Sequence, residues 1–272
     1  ACADSMTKGF LMGGTAGRTT LNGEGLQHQD GHSHVIASTV ANMRSYDPTF
    51  AYELAVIVQD GIKAMYQENE SVFYYLTLYN QNYPMPAMPD GVEDGIIKGM
   101  YRYQQDSGSG LKVHLLASGS MMQEALKAKE LLKDYGCSAD IWSVTSYNEL
   151  LKQAQLIERQ NRLTPEEMCK NHIEAMMENE EGVVVAVTDF MKVLPQSVSR
   201  WFPQRFIALG TDGFGLSESR ADLRDHFEVD ARYIAWSALT GMYADGQIDQ
   251  VLLTKARQDL AIPYSKINPV SL

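Results

Sequence analysis

Apolar residues along this chain follow two patterns in turn. Short runs of β-branched and aromatic residues alternate with longer stretches at helical spacing. Lys8 to Met12 is a first short apolar run, ending at Gly13 and Gly14, and His34 to Val40 reads as a second strand through its β-branched content. Asp47 followed by Pro48 predicts a helix start, and Phe50, Leu54, Ile57, Val58, Ile62 and Met65 keep the helical period behind it. Val72 to Leu78 is apolar on both faces, as a buried strand is. Residues 80–91 hold three prolines and no period, and are the best candidate for a linker.

The alternation resumes beyond it. Strands are expected at Val113 to Ala117, Ala139 to Val144, Val183 to Val187 and Phe206 to Leu209. Helices are expected from Ser118 through Leu132 with Gly136 as the stop, from Ser146, from Thr164-Pro165-Glu166-Glu167, and near Ala231 to Ala244 and Asp249 to Leu260. Strands alternating with helices predict an α/β fold with mostly parallel sheets covered on both faces, and ligands in such folds gather at the carboxyl ends of strands.

One stretch escapes both periods. Residues 13–34 carry six glycines counting Gly13 and Gly14, and three of the six histidines, set around Glu24 and Asp30. A structureless stretch of that length between apolar segments is expected to be a functional loop.

Composition narrows what that loop serves. The 272 residues are 44% hydrophobic and 21% charged, enough apolar mass for real cores. A net charge of -11 repels phosphate backbones, so no nucleic-acid partner is expected. There is neither an apolar run long enough to span a bilayer nor the basic-then-apolar order of a signal peptide, so no membrane partner and a cytoplasmic location are expected. Cys2, Cys137 and Cys169 lie far apart with no C-x-x-C pair, which fits a reducing compartment.

Three chemistries compete for the loop. Gly13-Gly14-Thr15-Ala16-Gly17-Arg18-Thr19-Thr20 has the look of a phosphate loop, but Met12 stands where its first glycine belongs and Arg18 replaces its mobile lysine. His28, His32 and His34 form H-x-x-x-H-x-H, yet Gly31 interrupts the interval and no helical pattern orients the rings, so no dedicated metal site is expected. Glu24 and His28 are the preferred pair. Glycines flank Glu24, and a carboxylate beside an imidazole orients it and keeps a proton on it. A loop merely stiffened by these side chains is the alternative. His114, His172 and His226 stand alone on predicted elements and read as structural.

Residues 13–34 closely resemble the homodimeric, bacterial type of pyruvate dehydrogenase, the thiamine-diphosphate component of the pyruvate dehydrogenase complex. The likeness continues through Ser45 to Glu53, Asn80 to Pro89, Trp142 to Tyr147, Leu209 to Gly215 and His226 to Asp230. Asp30-Gly31-His32-Ser33-His34 is similar to the Asp-Gly-Pro-Thr-His segment of transketolases.

The resemblance implies the C-terminal part of such a chain, with residues 1–88 the second half of the pyrimidine-binding domain and residues 89–272 a transketolase-type C-terminal domain. It implies decarboxylation of pyruvate on thiamine diphosphate with magnesium, and passage of the acetyl group to lipoyl groups of the dihydrolipoyl acetyltransferase partner. His28 would contact the pyruvate-derived adduct, Glu24 would orient His28 or shuttle a proton, and His34 would match the substrate-facing histidine of transketolases. The Gly-Asp-Gly…Asn motif for magnesium and diphosphate is missing, since Thr211-Asp212-Gly213 lacks the first glycine and the next asparagine is Asn268. The cofactor-activating glutamate is expected upstream of Ala1. Both cofactors are therefore expected to be held mainly by regions outside this chain, and the segment alone is expected to be inactive. The alternatives are a non-catalytic dimerisation module and transketolase-like ketol transfer.

Overall fold

The unbroken apolar runs become the strands of two sheets. A computed structural model describes residues 1–271. The first sheet has three parallel strands in the order β1-β3-β2, from β1 (Phe10–Gly13), β2 (Met43–Tyr46) and β3 (Phe73–Thr77). Helix α1 (Ser33–Ala37) lies between β1 and β2, and α2 (Ala51–Ile62) between β2 and β3. After β3 the chain runs without helix or strand to α3 (Glu93–Lys98).

The second sheet follows. Its strands are β4 (Tyr101–Gln104), β5 (Leu111–Ala117), β6 (Cys137–Ser143), β7 (Val183–Val187) and β8 (Arg205–Leu209), in the order β4-β6-β5-β7-β8. All neighbours pair in parallel except the edge strand β4, which runs antiparallel to β6. The helices are α4 (Met122–Lys133), α5 (Tyr147–Leu163), α6 (His172–Met177), α7 (Val193–Gln196), α8 (Arg220–His226), α9 (Ala231–Ala244) and α10 (Gln250–Asp259).

Alternation within the strands sorts the core into layers. Val183, Val185 and Val187 join Val113, Leu115, Ala125 and Leu239 on the face covered by α4 and α9. Val184 and Ala186 join Leu116, Trp142, Ile173 and Trp201 on the other. A third cluster, with Tyr46, Ile57, Tyr74, Leu76 and Ile96, fills the space under the three-stranded sheet. Among the described residues no helix is long and apolar enough to cross a membrane.

Three local expectations give way. Residues 34–40 are not a strand: the chain forms α1, because the Asp30 carboxylate accepts from the backbone N–H groups of His32 and Ser33 and starts a helical turn there. The strand lies further on, at β2. Helix α2 begins at Ala51 rather than beside Asp47, whose carboxylate turns inward onto the hydroxyls of Thr77 and Tyr79. Glu53 caps the helix instead, accepting from Thr49 and Phe50 backbone N–H groups. Thr164 ends α5, and Pro165–Glu167 makes only a short 3-10 turn before α6 starts at the Asn171 cap.

Two polar groups inside this fold carry pH dependence. The buried ring of His114 sits between the indole N–H of Trp142, which donates to Nδ1, and the carbonyl of Glu181, 3.0 Å from Nε2. That pairing fixes a neutral ring with its proton on Nε2. Burial holds both His114 and His34 below the ordinary value of 6.5. The unfolded chain gains these protons as pH falls through 6.5 and the folded chain refuses them, so stability is present above that value and lost below it. The loss should approach about 1.4 kcal/mol per pH unit for each excluded proton. Denaturant titrations of the parent and of His114→Gln at pH 7.5 and 5.5 check this, since the upward-shifted Glu53 and Asp189 carboxyls act in the opposite sense in both. The same pH dependence in parent and variant would contradict it.

Candidate active site

Strand β1 delivers residues 13–34 to the carboxyl end of the three-stranded sheet, where Ala16 N–H bonds the carbonyl of Leu78. The loop then divides into a buried limb, an exposed arch and a buried return.

The buried limb explains the phosphate-loop likeness. It does embrace an anion, but the anion is Asp189, just past β7 and wholly buried. Thr19 gives Oδ1 its backbone N–H at 2.9 Å and its hydroxyl at 2.7 Å. Thr20 gives Oδ2 its backbone N–H at 3.0 Å and its hydroxyl at 2.6 Å. Gly17, at φ +87°, has no room for a side chain, since a Cβ there would lie 2.3 Å from Asp189 Oδ2. Burial pushes the Asp189 carboxyl up, while Arg224 and the two threonines pull it back toward the ionised form. Arg18 is no mobile phosphate ligand. It is 1% exposed and donates to the carbonyls of Thr211 and Gly213.

Beyond Leu21 the chain rises into solvent. Gly23 and Gly25 take φ values of +78° and +75°, and the His28 N–H closes a turn onto the Gly25 carbonyl at 3.3 Å. This turn, not a helix, brings residues four apart face to face. Glu24 Oε2 lies 3.1 Å from His28 Nδ1, with the side chains 51% and 59% exposed. The carboxylate thus takes the Nδ1 side of the ring and leaves Nε2 directed away from it, free to lend a proton or hydrogen bond to an oxygen anion. Asp30 and α1 then carry the chain back into the interior.

The three histidines do not converge. His28 pairs with Glu24, His32 lies on the Arg18 guanidinium at 3.3 Å, and His34 bonds Thr77 Oγ1 at 3.0 Å. His34 lies away from the exposed arch. It is 3% exposed and packed edge-on against Phe190, because α1 turns its ring into the seam between the sheets rather than toward solvent. Among the described residues the one His/Asp/Glu group with metal-like spacing is His114, Asp140 and Glu180. Both ring nitrogens of His114 are already engaged, and Arg102 pairs with Asp140 and Glu180.

Two residues that the sequence did not single out complete the site. Asp189 is one. Gln29 is the other, 5% exposed and bonded to the backbone of Leu21 in the buried limb and of Leu216 beyond β8. The position of Asp189 at the end of a buried strand was the one available signal; nothing local marked Gln29.

Comparison with known proteins agrees with this architecture. Residues 99–230 match the transketolase-like TK C-terminal domain, and residues 1–86 match the pyruvate dehydrogenase E1 component middle domain. A solved transketolase of Pichia stipitis superimposes with a TM-score of 0.64 over 90% of this chain and 32% of its own, at 19% identity. The transketolase of Leishmania mexicana gives 0.63 over 91% and 32%, at 15% identity. The fold is therefore of the transketolase-like α/β class. Sequence relatives are closer: the pyruvate dehydrogenase E1 components of Pseudomonas aeruginosa and Escherichia coli are 47% and 48% identical over 99% of the chain. That of Mycolicibacterium smegmatis is 42% identical over 96%. The chain belongs to the pyruvate dehydrogenase E1 component family, and it spans about a third of the length of these relatives, 31%, 31% and 29% respectively.

Proposed function

We propose that this chain is the C-terminal portion of a pyruvate dehydrogenase. In this reading the full-length enzyme decarboxylates pyruvate on thiamine diphosphate and passes the acetyl group to lipoyl groups of a dihydrolipoyl acetyltransferase. Residues 1–88 then form the second half of the pyrimidine-binding domain, and residues 89–272 the C-terminal domain, within a cytoplasmic homodimer. The observation that carries the proposal is an acid–imidazole pair on an exposed arch between two buried limbs, in a chain 47% identical over 99% of its length to a pyruvate dehydrogenase E1 component.

The residues present do not fit the cofactor's magnesium and diphosphate. Asp212, the nearest counterpart of that motif's aspartate, accepts from the Lys192 backbone N–H and pairs with Lys192 Nζ, both at 3.0 Å. The His114 group is filled by Arg102. Both groups would be held by other parts of the full-length assembly. What this chain supplies is His28, held by Glu24, to hydrogen-bond the carboxylate or oxyanion of the bound keto acid.

The test is direct. The full-length protein should release carbon dioxide from pyruvate and acetylate a lipoyl acceptor only when thiamine diphosphate and magnesium are added. The 272-residue chain alone should do neither and bind the cofactor weakly. Turnover of a ketose phosphate without turnover of pyruvate, or tight cofactor binding by the isolated chain, would reject the proposal.

A further inference from the structure

We propose that Gln29 is a positioning residue for His28: its buried amide ties the two limbs of the loop to the Leu216 segment and thereby sets where the imidazole stands. The proposal rests on the reading of His28 as a substrate-contacting group.

The side-chain amide of Gln29 spends all of its near capacity on backbone. Nε2 donates to the carbonyls of Leu21 and Leu216, each at 2.8 Å, and Oε1 accepts from the Leu216 N–H at 2.8 Å. Two acceptors on one side and a donor on the other leave a single possible orientation for the amide. Leu21 closes the buried limb before the arch, Gln29 directly follows His28, and Leu216 is 187 positions away in sequence. The amide is thus a three-way junction between the two feet of the arch and the loop beyond β8.

The fit around it is close. A Cβ on Gly215 would lie 2.5 Å from Gln29 Oε1 and 3.0 Å from the Gly25 carbonyl, and one on Gly25 would lie 2.4 Å from Ser217 Oγ. The arch is therefore pressed against residues 215–217 over its whole base. The ionic partner of the His28 ring, Glu24, rides on the same arch, so that pair does not tie the imidazole to the rest of the fold. Displacing an aligned group by about an ångström costs on the order of 10² in rate.

The test is a double-mutant cycle in the full-length enzyme, with thermal melting recorded for every variant. Gln29→Ala should lower kcat for pyruvate about 10²-fold in the parent enzyme and far less in a His28→Ala background, because the group it positions is already gone. Gln29→Glu gives a second, independent readout. Its extra oxygen faces two carbonyls and is tolerable only when protonated, so its activity relative to the parent should rise as pH is lowered. An equal loss in both backgrounds, an unchanged kcat, or a Gln29→Glu to parent ratio independent of pH overturns the proposal. If His28→Ala alone leaves turnover intact, the reading of His28 fails and this inference with it. If His28→Ala is damaging but the Gln29 effects are additive, only this inference fails.

Discussion

Alanine at position 28 of the full-length enzyme should reduce turnover of pyruvate by about 10² to 10⁴, the range of a positioned proton donor, while leaving the melting temperature unchanged. The two halves of that expectation come from the same geometry. The His28 side chain is 59% exposed and its recorded partner, Glu24, is itself half exposed, so the fold loses at most an exposed ion pair worth about 1 kcal/mol or less. Chemistry loses the group whose Nε2 faces outward. Glu24→Gln should fall between parent and His28→Ala, because an amide oxygen still accepts from Nδ1 but carries no charge. Steady-state kinetics with circular-dichroism melting separates the effects. Parental turnover and parental pyruvate saturation in His28→Ala would remove the residue from the mechanism.

The second large effect is on stability. Asp189→Ala should destabilise the chain by about 3–5 kcal/mol, as removal of one partner from a buried charged network does. The backbone N–H groups of Thr19 and Thr20 and the Thr19 hydroxyl would then be buried without the acceptor they now share, while the Thr20 hydroxyl could turn to Ser120 Oγ, 2.6 Å away. Asn in place of Asp should recover little, for its NH2 group would face donors. Urea unfolding midpoints measure the difference. A loss below about 1 kcal/mol would mean that the threonines find other acceptors, the ordinary value for a replaced hydrogen bond.

What could be read ahead of the structure was what packing writes into local order. Val183 to Val187 is buried on both faces and announces itself as an unbroken apolar run. Met43–Tyr46 is also a strand, yet half its residues are only partly buried and Arg44 reaches Glu70, so no period betrays it. The residues from His34 to Val40 have strand-like composition, but one side-chain cap from Asp30 outweighs weak β preference over so short a span. The Glu24–His28 pair was legible because glycine spacing and residue type are local. Asp189 and Gln29 were not, because their bonds join positions 170 and 187 apart. The buried fate of His34 was likewise hidden, since it depends on Thr77 and Phe190 rather than on its neighbours in sequence.

Glu53 carries one further consequence. Fully enclosed, it caps α2 in one layer while taking the hydroxyls of Ser143 on β6 and Tyr101 beside it in the other. Prising the layers apart would strand that carboxylate among unsatisfied donors, so the seam acts as a weld rather than a hinge. The supports of the exposed arch, Leu78 in the first layer and Asp189 and Leu216 in the second, are then held to one another by that same seam.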